Sequence, residues 1–318
     1  MRRAVDWVGR RTGGDLAALW VIECVGSYGA GLASIVTQAG YHAVEAARMN
    51  ARANRGVGKS DPLDARRIAG SVLALETDQL RHPRKDDGVR AALRVLVAAR
   101  DMMTTERTSA VNALTALLRS TSLGIDARKK LSATQIAEVT KWRTRAEDIA
   151  RAAARAEAIR LVKRITALDK EIKDNTTTTT DLIKQSPARD LLEKTGIGPV
   201  TAAVVMTAWS HEGRLRDEAA FASLAGVNPI PASSGNTVRH RLNRGGDRRL
   251  NRALHMAVIT RMTHDPETRA YVERRCAEGR TPREIRRILK RYLARQLFRL
   301  LNTAARVDSM PLPASSPA

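Results

Sequence analysis

Between Gly88 and Lys173 apolar residues return at every third or fourth position. Leu93, Leu96, Val97, Met103, Val111, Leu114, Leu117 and Leu118 form one stretch, and Ile159, Val162, Ile165, Leu168 and Ile172 a second. That period puts them on one face of long helices, and two such helices bury their stripes most simply against each other as a helical hairpin or coiled coil. Self-association and packing within one chain serve the stripes equally well. The run Thr176 to Thr180 breaks the period and reads as a linker. A helical spacer over residues 88–180 therefore divides the chain into a part before it and a part after it.

Lys and Arg number 55 against 33 Asp and Glu, a formal net charge of +22 over 318 residues. An excess of that size is the electrostatic footprint of a nucleic-acid partner. It is also patterned, with dense basic runs from Arg239 to Arg252 and from Arg274 to Arg299. Aromatic residues make up only 3% of the chain, which argues against base stacking on aromatic platforms as the main binding mode. Cys24 and Cys276 lie far apart without metal-ligand spacing, which argues against a zinc module and a disulfide framework, and both thiols are expected to be reduced and buried. The N-terminus lacks a signal-peptide core and no apolar run is long enough for a bilayer, so a cytoplasmic, nucleoid-associated protein without a membrane partner is expected.

The part before the spacer has an α/β pattern. Leu16 to Cys24 reads as a buried strand, Tyr28 to Ala39 as a helix, and Tyr41 to Ala46 as a second strand. A further helix opens at Lys59-Ser60-Asp61-Pro62-Leu63-Asp64, where Asp61 can cap and Pro62 fits the first turn. Asp61 and Asp64, three residues apart, share a helix face, and two hard oxygen donors side by side suit Mg²⁺. The same residues also read as an ordinary capped helix start, with acid at the positive end of the dipole. Glu23, at the carboxyl end of the first strand, is a third carboxylate able to join them.

The part after the spacer opens with Thr195-Gly196-Ile197-Gly198-Pro199. This resembles a helix-hairpin-helix element, in which Gly196 and Gly198 let backbone N–H groups approach a phosphate; a tight helix–helix turn is the plainer reading. Ala225-Gly226-Val227-Asn228-Pro229 then runs into a loop with Ser233-Ser234-Gly235, followed by Arg239, His240, Arg241, Arg244, Arg248 and Arg249. A serine beside guanidinium groups is placed to attack a phosphodiester, although Ser-Ser-Gly is also ordinary loop chemistry. Thr281-Pro282-Arg283-Glu284 reads as a capping box opening a basic helix, and Met310 to Ala318 as a disordered tail.

Taken in order, Glu23-Cys24-Val25-Gly26-Ser27-Tyr28-Gly29, Gly58 to Ala65, Thr195 to Pro199, and Ala225 to Pro229 leading to Ser233-Ser234-Gly235 resemble the DEDD-type transposases of the insertion-sequence one-ten family, related to the Piv and MooV DNA invertases. The resemblance covers nearly the whole chain. It implies a partial RuvC-like, RNase H-type α/β domain over residues 1–87, an all-α coiled-coil spacer over 88–180, a mainly helical C-terminal transposase domain with the serine loop over 181–308, and a tail over 309–318.

It further implies Glu23, Asp61 and Asp64 as Mg²⁺-binding members of the family's carboxylate tetrad, and Ser234 as nucleophile with Ser233 as the fallback. DNA partners at element ends and target are implied, as are a structured guide RNA in some relatives and a dimer or tetramer. The family's first Asp lies on a strand upstream of the helix beginning near Arg2, and neither Asp6 nor Asp15 matches it, so an N-terminally truncated copy with an exposed sheet edge and an incomplete metal site is expected. An inactive nucleic-acid-binding remnant and a RuvC-like metal nuclease are the competing readings.

Overall fold

The computed structural model describes residues 1–46, 60–76, 79–84, 88–233, 236–237 and 240–309. The first part contains helix α1 (Arg2–Thr12), strand β1 (Trp20–Ile22), helix α2 (Ala30–Gln38), strand β2 (Ala43–Glu45) and helix α3 (Asp61–Gly70). β1 and β2 pair in parallel, Trp20 opposite Ala43 and Ile22 opposite Glu45, with α2 as the crossover. Ile22, Val25, Ala33, Val36 and Tyr41 form a small core between strand and helix. The expected strands are present but short. Leu16 and Leu19 stay exposed, so only the middle of the Leu16–Cys24 run is strand.

Helices α4 (Gly88–Ser120) and α6 (Ile149–Lys184) form the expected hairpin. It is antiparallel: Asn175 donates to the Leu96 carbonyl, Arg100 to the Ile172 carbonyl at 3.0 Å, and Arg164 to Glu106 at 2.6 Å, so positions rise along one helix as they fall along the other. Leu93, Val97, Leu114 and Leu118 are buried from one side, and Val162, Ile165 and Leu168 from the other. Each such side chain taken from water contributes ~1.5–3 kcal/mol. A short helix α5 (Ala133–Thr140), opened by the reciprocal bonds of Ser132 and Gln135, closes the far end of the hairpin.

Thr176–Thr180 is not a linker; it lies inside α6. The Thr176 and Thr180 hydroxyls donate to carbonyls four residues back, and Thr179 is buried, so tertiary packing overrides the low intrinsic helix propensity of the run.

Beyond α6, a 3-10 turn (Arg189–Glu193) leads to α7 (Pro199–Trp209), α8 (Glu218–Leu224), the antiparallel strands β3 (Pro229–Pro231) and β4 (His240–Leu242), α9 (Arg248–His264), α10 (Pro266–Ala277) and α11 (Pro282–Ser309). One core holds this part together and takes in the base of the hairpin: Leu93, Val97 and Ile183 pack with Val205, Trp209, Phe221, Leu254 and Leu297. Phe221 and Phe298 stack at 5.8 Å, and the Trp209 indole donates to Asn302. α11 begins with the capping box read from Thr281 and Glu284, each side chain bonded to the other's backbone N–H. Both cysteines are exposed rather than buried: Cys24 sits on the turn after β1, and Cys276 on α10, which has no buried residue. Among the described residues no helix is long and apolar enough to cross a membrane. The tail Met310–Ala318 lies outside the described residues.

Candidate nucleic-acid interface

Glu23 follows β1 directly and is exposed. The turn holding it is tight. The N–H groups of Ser27 and Gly29 both bond to the Cys24 carbonyl, and a Cβ on Gly29 would lie 2.3 Å from the Glu23 carbonyl oxygen. Cys24 itself adopts φ +54°, one of two non-glycine residues with positive φ among those described. Such strained positions gather where a site over-determines the backbone, a signal that the sequence did not carry.

α3 packs against β1 and carries Asp61 and Asp64 in its first turn. Asp61 is not the cap as read. Ser60 holds that position in extended conformation, and Asp61 is the first helical residue. The Asp64 carboxylate bonds to Arg67 at 3.2 Å. Among the described residues no three His, Cys, Asp or Glu side chains lie close enough together to hold a metal ion. The donor chemistry nevertheless suits a hard cation, since Mg²⁺ is commonly held by one or two carboxylates with water and substrate phosphates completing its shell.

The serine loop is a β-hairpin. Pro229 pairs with Leu242, Ile230 with Arg241 and Pro231 with His240. Ser233 is exposed there, while Ser234 and Arg239 lie outside the described residues. The base of the hairpin explains its flanking motifs. Asn243 donates to Asn228 at 2.7 Å and to the Ser223 carbonyl, Asn251 to the Ala225 carbonyl at 2.7 Å, and Asp247 caps α9 through the N–H groups of Arg249 and Leu250. Gly226, at φ +65°, packs directly on Gly246.

Around that base the basic residues collect. Arg244, Arg248, Arg249, Arg252, His255 and Lys290 line a groove of about 750 Å³ together with Asp101 of α4. Arg249 and Arg252 both pair with Asp101, at 2.7 and 3.1 Å. Arg241, Arg244 and Arg248 are exposed and make no ion pair among the described residues. The Lys290 ammonium, which donates to Asn251, is pushed below its ordinary value by burial and then by Arg287 and Arg286. His255 is lowered by burial and by Lys290 and Arg286. Burial is the larger cause of both shifts, and the positive charge that adds to it, from Arg286, Arg287 and Lys290, suits an anion in this groove.

Gly196 and Gly198 stand apart from this groove, between the 3-10 turn and α7, so they do not join two α-helices. Gly196 has φ +80° and its missing Cβ leaves room for the Ala257 carbonyl of α9, at 2.6 Å from where that Cβ would sit. Internal packing accounts for this glycine, while Gly198 caps α7 with nothing against it.

Residues 1–123 match the model of DEDD-type IS110 transposases, and residues 188–273 that of the transposase IS116/IS110/IS902 family. A 43.6 kDa protein of insertion element IS110 from Streptomyces coelicolor is 32% identical over 115 residues, 36% of this chain and 28% of that protein. A 42 kDa protein of insertion element IS900 from Mycobacterium paratuberculosis is 27% identical over 312 residues, 83% of this chain and 75% of that protein. The chain belongs to the IS110-type transposase family.

Proposed function

We propose that the protein exchanges DNA strands at the ends of an insertion element, with Ser234 as the attacking group. Its hydroxyl oxygen bonds to phosphorus as the bond from phosphorus to one deoxyribose oxygen breaks. The serine proton is taken up by a neighbouring base, and the released sugar oxygen is protonated in turn. A phosphodiester is thereby conserved as a protein–DNA ester and later returned to a second strand. Exposed guanidinium groups at the hairpin base, Arg241, Arg244 and Arg248, stabilise charge developing on the phosphate. By the resemblance Glu23, Asp61 and Asp64 would be the residues to hold a Mg²⁺ ion, which would polarise phosphate oxygens, although among the described residues the three are not gathered on one point.

The observation that carries this reading is the β3–β4 hairpin. Ser233 lies exposed between its two strands, and its base is locked by Gly226, Gly246, Asn243 and Asn251 beside a groove lined by basic residues. The part of the proposal taken from resemblance extends to a RuvC-like arrangement of residues 1–87, to target choice by base pairing with a guide RNA, and to a homo-oligomer, dimer or tetramer, that presents the strands to one another. The test is to incubate the protein with labelled element-end DNA and Mg²⁺ and to resolve the products on a denaturing gel. Label migrating with the protein supports serine transfer; cleaved DNA with no protein-linked label refutes it.

A further inference from the structure

A second cleft, of about 680 Å³, lies between β3–β4 and helices α10 and α11 and adjoins the groove above at Gly226, Asn243 and Lys290. Its walls differ in kind from those of the groove above. Tyr271 of α10 and Tyr292 of α11 meet edge to face there, ring centroids 6.4 Å apart. The Arg274 and Arg275 guanidinium carbons lie 5.4 and 6.0 Å from the Tyr271 ring centre, so that ring is already occupied by cations. Tyr292 is 52% exposed and leaves ring surface open. Arg241, Arg274, Arg287 and Arg291 line the same cleft without an ion pair among the described residues. Two of the 4 Tyr in the chain meet here.

An open aromatic ring within a ring of unpaired guanidinium groups is complementary to a base and its phosphates together, since every base has a face to stack and every linkage a charge. We propose that this cleft holds a nucleobase unstacked from its strand, laid on Tyr292, with the adjoining phosphates on Arg241, Arg287 and Arg291. Such a pocket, walled on one side by β3 and β4, would take a nucleotide out of the stack near the phosphate that the proposed serine attacks and fix the strand's register. The inference rests on the nucleic-acid reading given above and deepens it.

The experiment compares binding of an oligothymidylate of about twelve nucleotides with that of an abasic tetrahydrofuran oligomer of the same length, which keeps the charges and lacks the bases. The full chain is used, as wild type and as Tyr292→Ala, Tyr292→Gln and Tyr292→Phe. Wild type and Tyr292→Phe are expected to bind the thymidylate about tenfold more tightly than the abasic oligomer, the size of one stacked base. In Tyr292→Ala and Tyr292→Gln that preference falls to about one, with abasic binding unchanged. Equal binding of both oligomers by wild type, or a preference that survives in both Tyr292→Ala and Tyr292→Gln, overturns the pocket while leaving the basic groove intact. Failure of wild type to bind either oligomer overturns the groove reading as well.

Discussion

Gly246 lies so close to Gly226 that a Cβ on it would come within 2.3 Å of the Gly226 nitrogen and 2.5 Å of its Cα. The two residues join the entry and exit of the serine hairpin, backbone on backbone. Gly246→Ala is therefore expected to force the strands apart, at a cost of about 1–3 kcal/mol of overpacking. Urea unfolding measures that loss. Because the hairpin tip moves with its base, strand transfer is expected to fall by more than the change in folded fraction. A variant as stable and active as wild type removes the clamp from the account.

Arg244 and Arg248 are unpaired among the described residues, whereas Arg249 and Arg252 are held by Asp101. Arg244→Ala and Arg248→Ala should each weaken DNA binding across sequences and lower the slope of log affinity against log salt by about 1. Asp101→Asn should act in the opposite sense, tightening binding and steepening the slope, by releasing two guanidinium groups. Fluorescence anisotropy over a salt series decides both, and an unchanged slope in all three variants contradicts the placement of the groove.

Carboxylates enter the proposal as metal ligands. Asp61→Asn and Asp64→Asn are expected to abolish Mg²⁺-dependent strand cleavage while DNA binding persists. Chelation of Mg²⁺ from the wild type should give the same phenotype. Full cleavage by both variants would leave the first turn of α3 as an ordinary helix start.

At the far end of the helical hairpin, Arg155 is buried, bonded to both oxygens of Glu147 at 2.6 Å and laid on Trp142 at 4.8 Å. The bond from Arg155 holds the Glu147 carboxyl below its ordinary value of 4.5. A group lowered in the folded state stabilises above its unfolded value, and that stabilisation is lost as pH falls through the folded value. Thermal unfolding of wild type and Glu147→Gln should therefore differ most above about pH 5 and converge in acid. A gap that is constant with pH contradicts the ion pair.

What the sequence showed and what it hid follow from range. The α4–α6 hairpin was legible because Leu93, Val97, Leu114 and Leu118 repeat with the helix itself, and the α11 start because Thr281 and Glu284 act across three residues. Thr176–Thr180 reads as a linker on local propensity alone, while its helix is held by packing on α4, where Arg100 donates to Thr176 and Asn175 to the Leu96 carbonyl. Cys24 and Cys276 were expected inside because thiols usually are, yet one sits on a turn and the other on a helix with no buried face. Glu23, Asp61 and Asp64 could be named from their motifs, but the positive φ of Cys24 could not. The contacts that shape the site, Gly226 on Gly246, Asp101 between Arg249 and Arg252, and Tyr271 against Tyr292, join residues distant in the chain and carry no periodicity.

The most direct test of the central claim is to trap the protein on element-end DNA with Mg²⁺, digest the DNA and the protein, and identify by mass spectrometry the residue that carries the nucleotide. The account predicts a nucleotide ester on Ser234, lost in Ser234→Ala and retained in Ser233→Ala. Cleaved DNA with no modified peptide, or an ester on any other residue, contradicts it.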